Sequence, residues 1–118
     1  MEANRMFLRA TALVLTLAFA VSAAASPNGN AAAGKKKAGT CAACHGDGNK
    51  TLNDTYPKLA GQYPEYLSKA LHEYKNGKRK NAIMGAQATS LSEQDIADLS
   101  AYFASLKPQI HDLSGHAR

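Results

Sequence analysis

The chain has 118 residues, a formal net charge of +5 at pH 7 and two cysteines. This length predicts a single small domain with a modest core, and no repeat or strand-like alternation points to anything larger. The mild positive charge suits an acidic protein partner. Nucleic acid is not expected as a partner, because the sequence carries no binding motif for it.

Residues 1–25 have the pattern of a secretory signal peptide. Arg5 and Arg9 form a basic start, residues 10–21 are apolar, and residues 23–25 offer a small-residue cleavage site. The apolar run is shorter than the roughly 20 residues that span a bilayer as a helix. An uncleaved membrane anchor is the alternative. We therefore expect export to the periplasm and a folded domain over residues 26–108.

The first helix is predicted from Ala31 to about Thr40, with Asn30 as its N-cap. Gly34 inside this helix costs about 1 kcal/mol relative to alanine. A glycine there allows a second helix to approach closely, unless it is simply a weak spot. The lysines at 35–37 that follow are more typical of a solvated face than of a docking site.

Cys41 and Cys44 stand two residues apart and are followed at once by His45. This pattern is typical of c-type haem attachment, in which each thiol adds to one vinyl group and the histidine ligates the iron. A redox-active CxxC does not need the histidine, and a structural zinc site needs two further ligands. We therefore expect one covalently bound haem c.

The residues after the motif predict a loop as far as Pro57, because Gly, Asn and Asp dominate them. A helix is predicted next, with Pro64 at its first position and a stop at Gly77. His72 falls off its apolar stripe and is expected at the surface. The stripe itself is expected to pack into the core and consists of Tyr63, Tyr66, Leu67, Ala70, Leu71 and Tyr74.

Residues 82–86 are apolar without a clear period and are expected to form an ordered loop. They include Met84, the only methionine after the signal segment. The iron of an electron carrier needs a sixth ligand, and a thioether raises its reduction potential. We therefore expect Met84 to ligate the iron opposite His45. A histidine (His72, His111 or His116) or an open sixth position is the alternative.

The last helix begins after Ser92, an N-cap that pairs with Asp95 in a variant of the capping box. Pro108 follows its end, and residues 109–118 are expected to form a flexible tail. The expected buried side of the helix consists of Ile96, Leu99, Tyr102, Phe103 and Leu106.

Taken together, these segments resemble class I cytochromes c, and within them one half of the cytochrome c4 group and its monohaem relatives. The resemblance covers about residues 30–108. It rests on AAAG at 31–34, CAACHG at 41–46, YPKLAGQ at 56–62, the Met84 segment, and LSEQDI at 91–96 leading to AYF at 101–103.

The resemblance implies a small all-α fold in which the N- and C-terminal helices cross around one covalently bound haem. Gly34 would meet Leu99 and Tyr102 at the crossing. The carbonyl of Pro57 would accept a hydrogen bond from Nδ1 of the proximal histidine, and Met84 would be the distal ligand. One haem motif is present, so a second haem could come only from dimerisation or another subunit.

The function predicted from these features is a periplasmic electron carrier and not an enzyme, since no acid/base pair or nucleophile is placed for catalysis. Its expected partners are a membrane donor complex and a terminal oxidase or reductase, and it would contact membranes only through them. A monomer or weak dimer is expected. The alternatives are a haem subunit of a larger oxidoreductase, a ligand-binding or peroxidase-like haem protein, and a redox or zinc protein without haem.

Overall fold

A computed structural model gives the fold and describes residues 28–109. The signal-peptide pattern and the tail histidines lie outside the described residues. Five helices and no strand make up the described part, which confirms the all-α prediction. They are α1 (Ala31–Lys37), α2 (Gly39–His45), α3 (Pro64–Lys75), α4 (Ala82–Thr89) and α5 (Glu93–Ser105). Between residues 28 and 109, no helix has the length and apolar character needed to cross a membrane.

Helix α1 crosses α5 at a buried glycine. The side chain of Asn30 caps α1 by accepting a hydrogen bond from the backbone N–H of Ala33 at 2.9 Å. A Cβ on Gly34 would lie 2.0 Å from the carbonyl oxygen of Asp98 and 2.7 Å from Cβ of Tyr102. The glycine therefore permits the crossing, as predicted, and Asp98 and Tyr102 supply the atoms nearest to it.

A buried carboxylate fastens the same crossing. Asp98 is 2% exposed and accepts hydrogen bonds from the backbone N–H of Asn30 at 2.8 Å, from Lys37 Nζ at 2.6 Å and from Gln94 Nε2 at 2.8 Å. These partners, Lys37 first, lower the pKa of Asp98 to about 2. One lysine of the 35–37 run is therefore structural, because it ties α1 to α5.

Helix α5 begins as the sequence indicates. The Ser92 hydroxyl accepts from the backbone N–H of Asp95, and the Asp95 carboxylate accepts from the backbone N–H of Ser92, which completes the capping box. Ile96, Leu99 and Phe103 of this helix are buried. Leu99 and Phe103 form one small core cluster with Ala38 and Leu67.

Two local predictions are wrong. The first helix does not stop near Thr40: α1 ends at Lys37, and after a turn α2 carries the cysteine motif as far as His45. Residues 82–86 belong to α4, which the Asn81 side chain caps by accepting from the backbone N–H of Met84. The side chain of His72 is 40% exposed, in line with its expected surface position, and its ring also contacts Glu93 on α5.

Candidate functional site

Helix α2 presents the cysteines and the histidine of the motif on one face. Positions i, i+3 and i+4 of a helix lie above one another, and Cys41, Cys44 and His45 all line a single cavity of about 750 Å³. Both cysteines are half-buried free thiols, and burial raises the pKa of the Cys41 thiol. The three side chains therefore face one cavity.

The imidazole of His45 is fixed by a backbone carbonyl. The ring is 6% exposed, and its Nδ1 lies 2.9 Å from the carbonyl oxygen of Pro57. A carbonyl can only accept, so Nδ1 carries the proton and Nε2 keeps its lone pair for a metal. The ring of Tyr56 stands edge-on to the imidazole, with 6.0 Å between ring centroids. This is the hydrogen bond that the resemblance implied.

A glycine turn brings Pro57 back to the histidine. Helix α2 ends at Gly46, whose φ of 58° lies in the left-handed region. A Cβ there would stand 1.7 Å from the carbonyl oxygen of Lys50, so no other residue fits the turn. Further along, the Gly48 carbonyl accepts from the backbone N–H groups of Leu59 and Ala60. This turn is part of what positions the His45 imidazole.

Met84 reaches the same cavity from a different helix. The side chain is half-buried and lines the cavity from α4. No Cα of α2 lies within 8 Å of a Cα of α4, so the cavity separates the two helices. His45 and Met84 therefore supply an imidazole nitrogen and a thioether sulfur to one space from separate walls.

The rest of the lining is mostly apolar and aromatic. It includes most of the predicted α3 stripe. Leu67 of that stripe is part of the core cluster, as predicted, and Leu71 packs against it, whereas Tyr66 is 47% exposed. Tyr63 is the exception, since it is 76% exposed and does not line the cavity. The apolar wall residues are Leu59, Tyr66, Leu67, Ala70, Leu71, Tyr74, Ile83, Leu99 and Phe103.

His72 is not brought to this cavity. Its Nε2 lies 2.6 Å from Glu93 Oε2, and its Nδ1 lies 2.8 Å from the carbonyl oxygen of Ser68. The hydrogen bond to Glu93 raises the pKa of His72. Both ring nitrogens thus face acceptors, which leaves neither lone pair for a metal. Among the described residues, Met84 lines the cavity together with His45, and His72 does not.

Sequence reasoning did not place several polar residues in the lining, among them Lys58, Arg79 and Ser100. The Ser100 hydroxyl is buried and has no hydrogen-bond partner within residues 28–109. Its spacing from Ile96 and Phe103 places it on the buried face of α5, which was the available signal. No local signal separates Arg79 from the lysines on either side of it.

The donor set fits haem c. Two thiols at the attachment spacing, an imidazole with a free Nε2 and a thioether are the groups that the covalent bonds and a six-coordinate iron require. The apolar walls suit a large flat ring. The unpartnered Ser100 hydroxyl shows that the protein alone does not satisfy the cavity's polar groups.

Known cytochromes c are similar to this chain. The family model for cytochrome c matches residues 31–107. Cytochrome c4 from Pseudomonas aeruginosa is 46% identical over 96 residues, which cover 81% of this chain and 48% of that protein. Cytochrome c-554(548) from Halomonas halodenitrificans is 46% identical over 80 residues, which cover 65% of this chain and 96% of that protein. The chain thus spans about half the length of the cytochrome c4 relative.

A solved structure and a further relative show the same likeness. Reduced recombinant cytochrome c4 from Pseudomonas stutzeri matches with a TM-score of 0.65 and 38% identity, over 70% of this chain and 48% of that one. A thiosulfate dehydrogenase electron acceptor from Thiomonas intermedia is 38% identical over 78 residues, 65% of this chain and 36% of that protein. The chain therefore belongs to the cytochrome c family and carries covalently bound haem c.

Proposed function

We propose that the chain is a monohaem electron carrier of the periplasm that passes single electrons between redox proteins. The observation that carries the proposal is the shared cavity, which His45 and Met84 line from separate helices beside two free thiols. When bound, haem c supplies a one-electron ferrous/ferric couple. The protein contributes the attachment points, the axial ligands and the surroundings that set the potential.

Each predicted site residue has a distinct role in this proposal. Cys41 and Cys44 form the thioether bonds, which also consume both thiols in an oxidising compartment. His45 ligates the iron through Nε2, while the Pro57 carbonyl holds the imidazole orientation and raises its basicity. Met84 fills the sixth position, where a thioether favours a higher potential.

This arrangement favours electron transfer over catalysis. Two ligands supplied by the protein leave no open position on the iron for a substrate. The described lining contains no carboxylate that could act as a general base. We therefore propose a carrier and not an enzyme.

Redox proteins are the proposed partners, in the finer form a membrane donor complex and a terminal oxidase or reductase. The signal-peptide pattern of residues 1–25 supports the periplasmic location. A haem subunit of a larger oxidoreductase is the second candidate. It is favoured by the relative named thiosulfate dehydrogenase electron acceptor, because that name ties the same module to one enzyme.

The two candidate functions differ in whether the chain works alone or as part of a larger enzyme. We would produce the full chain in a bacterium that matures c-type cytochromes and purify it from the periplasm. The chain would then be cycled between ferricyanide and ascorbate in a stopped-flow instrument, with its mass followed by light scattering. A carrier completes repeated one-electron cycles as a lone chain. A chain that bleaches or aggregates when alone would favour the subunit.

A further inference from the structure

Two side chains of α3 tie this helix to the start of α5 outside the cavity. Nε2 of His72 lies 2.6 Å from Oε2 of Glu93, the first residue of α5, and Nδ1 lies 2.8 Å from the carbonyl oxygen of Ser68, one turn earlier in α3. Lys75 adds a second tie, since its Nζ donates to the carbonyl of Leu91 and lies 3.4 Å from Oε1 of Glu93. None of these five residues lines the cavity.

One protonation state of His72 satisfies both contacts of its ring. A carbonyl oxygen and an ionised carboxylate can only accept hydrogen bonds, so both ring nitrogens must carry a proton, and the ring is then an imidazolium cation. Either neutral tautomer turns a nitrogen lone pair toward the oxygen of Ser68 or of Glu93. The Ser68 hydroxyl is a more distant neighbour, 3.4 Å from Nδ1. The hydrogen bond between the two side chains accordingly raises the pKa of His72 and lowers the pKa of Glu93.

The other charges on the neighbouring helices do not replace this pairing. Lys75 repels the imidazolium, but its effect on the pKa of His72 is smaller than that of the Glu93 hydrogen bond. Helix α4, which also packs against α3, has no titratable side chain. The remaining ion pairs of α3 and α5 have other partners: Lys69 pairs with Glu73, and Asp95 and Asp98 pair with Lys37.

We propose that His72 is a pH-sensitive latch, which fastens the α3 wall of the haem cavity to α5 as long as its imidazole is protonated. Helix α3 contributes Leu67, Leu71 and Tyr74 to the lining, so release of the latch loosens a wall of the site itself. His72 is a positioning residue here, because it touches neither the cavity nor a proposed iron ligand. The inference goes beyond electron transfer, since it concerns how firmly the site is held at a given pH.

The direction of the pH dependence follows from the raised pKa. In the unfolded chain His72 loses its proton to solvent near its ordinary pKa of 6.5, whereas Glu93 keeps the proton on the folded chain to a higher pH. The latch therefore contributes fully below about pH 6.5, and its contribution is lost as pH rises through the folded pKa. An ammonium group keeps its charge throughout this range. The tie through Lys75 thus remains, and α3 loosens without detaching from α5.

The test compares the haem-loaded wild-type chain with His72→Gln and Lys75→Gln, each of which removes one tie between α3 and α5. Free energies of unfolding would be measured by urea titration at intervals from pH 5.5 to 9. We expect the stability advantage of the wild type over His72→Gln to be present at pH 5.5 and lost by pH 9. Lys75→Gln should be less stable than the wild type throughout and should keep a decline with pH, moved to higher pH because a repulsion on the imidazolium is gone.

Two further measurements distinguish a latch from a contact that is only structural. In an NMR titration of the His72 ring, Glu93→Gln should lower the pKa of His72. Amide hydrogen exchange in α3, corrected for the intrinsic rate, should be faster at pH 8.5 than at pH 6 in the wild type and alike at both in His72→Gln. The proposal is wrong if the stability difference between wild type and His72→Gln stays constant with pH, or if Glu93→Gln leaves the His72 titration unchanged.

Discussion

The Nδ1 atom of His45 donates its proton to the carbonyl oxygen of Pro57 across 2.9 Å, inside a site where the histidine is 6% exposed. The bond joins the last residue of α2 to a loop residue twelve positions later. It fixes one tautomer and one orientation of the imidazole, so the lone pair of Nε2 is defined by the protein before any metal is bound.

A looser loop should weaken this bond. Replacing Pro57 with glycine keeps the carbonyl but frees the backbone, so the His45 ring N–H should exchange with solvent faster. The measurement is hydrogen exchange of that ring proton by NMR on the haem-loaded chain. Pro64→Gly is the control, because Pro64 begins α3 and does not line the cavity. Equal exchange rates in the two variants would contradict the assigned role.

Removal of the thioether should open the iron. Met84→Ala deletes the proposed sulfur ligand, so the ferric spectrum should become high-spin and the ferrous form should bind carbon monoxide. Ile83→Ala is the matched control, since Ile83 is the preceding residue of α4 and also lines the cavity. That variant should keep the wild-type spectrum. A low-spin Met84→Ala chain that excludes carbon monoxide would show that another group holds the sixth position.

The crossing of α1 and α5 should not tolerate a methyl group. Gly34→Ala places a Cβ 2.0 Å from the carbonyl oxygen of Asp98, so the helices must separate, at a cost of about 2 kcal/mol in the free energy of unfolding. Gly39→Ala is the control, because a Cβ there meets nothing within 4 Å. Urea titration of both variants followed by circular dichroism measures the difference. Comparable losses of stability would refute the tight crossing.

Asp98 should make stability depend on pH at the acid end. Its folded pKa of about 2 lies below its ordinary value of 3.8, so its contribution is complete above about pH 4 and is lost as pH falls through about 2. The deficit of Asp98→Asn relative to the wild type should shrink over that range. Thermal unfolding from pH 2 to 7 measures it, and Asp54→Asn, an exposed loop change, should leave stability at pH 7 unaltered. A deficit that stays constant would contradict the ion pair.

The sequence predicted those structural features correctly that depend on a few neighbouring residues. The caps at Asn30 and Ser92 bond as their side-chain chemistry indicates, and Gly34 permits the helix crossing. The cysteine-histidine spacing identified three of the side chains that line the cavity, although not the helix that carries them. The wrong assignment at residues 82–86 has a physical cause, because a helix of 8 residues beside an apolar cavity has no polar face to reveal its period.

The sequence did not predict where side chains lie relative to distant parts of the chain. The stripe on α3 has the correct period, but periodicity does not show whether a face meets the core or a cofactor cavity. Arg79 sits between two lysines, and the folded chain alone distinguishes the cation that Tyr66 and Tyr74 hold from its two solvated neighbours. Glu93 likewise contacts His72, which lies 21 positions earlier in the sequence. At that separation the sequence gives no signal that two side chains pair.

The visible spectrum of the periplasmically produced chain tests the central claim most directly. It would be recorded oxidised, then reduced, then with carbon monoxide. Ligation by His45 and Met84 predicts low-spin bands, a thioether-to-ferric charge-transfer band and no change on adding carbon monoxide. A high-spin spectrum or a prompt carbon monoxide shift would contradict the six-coordinate carrier, and an absence of haem bands would contradict attachment through Cys41 and Cys44.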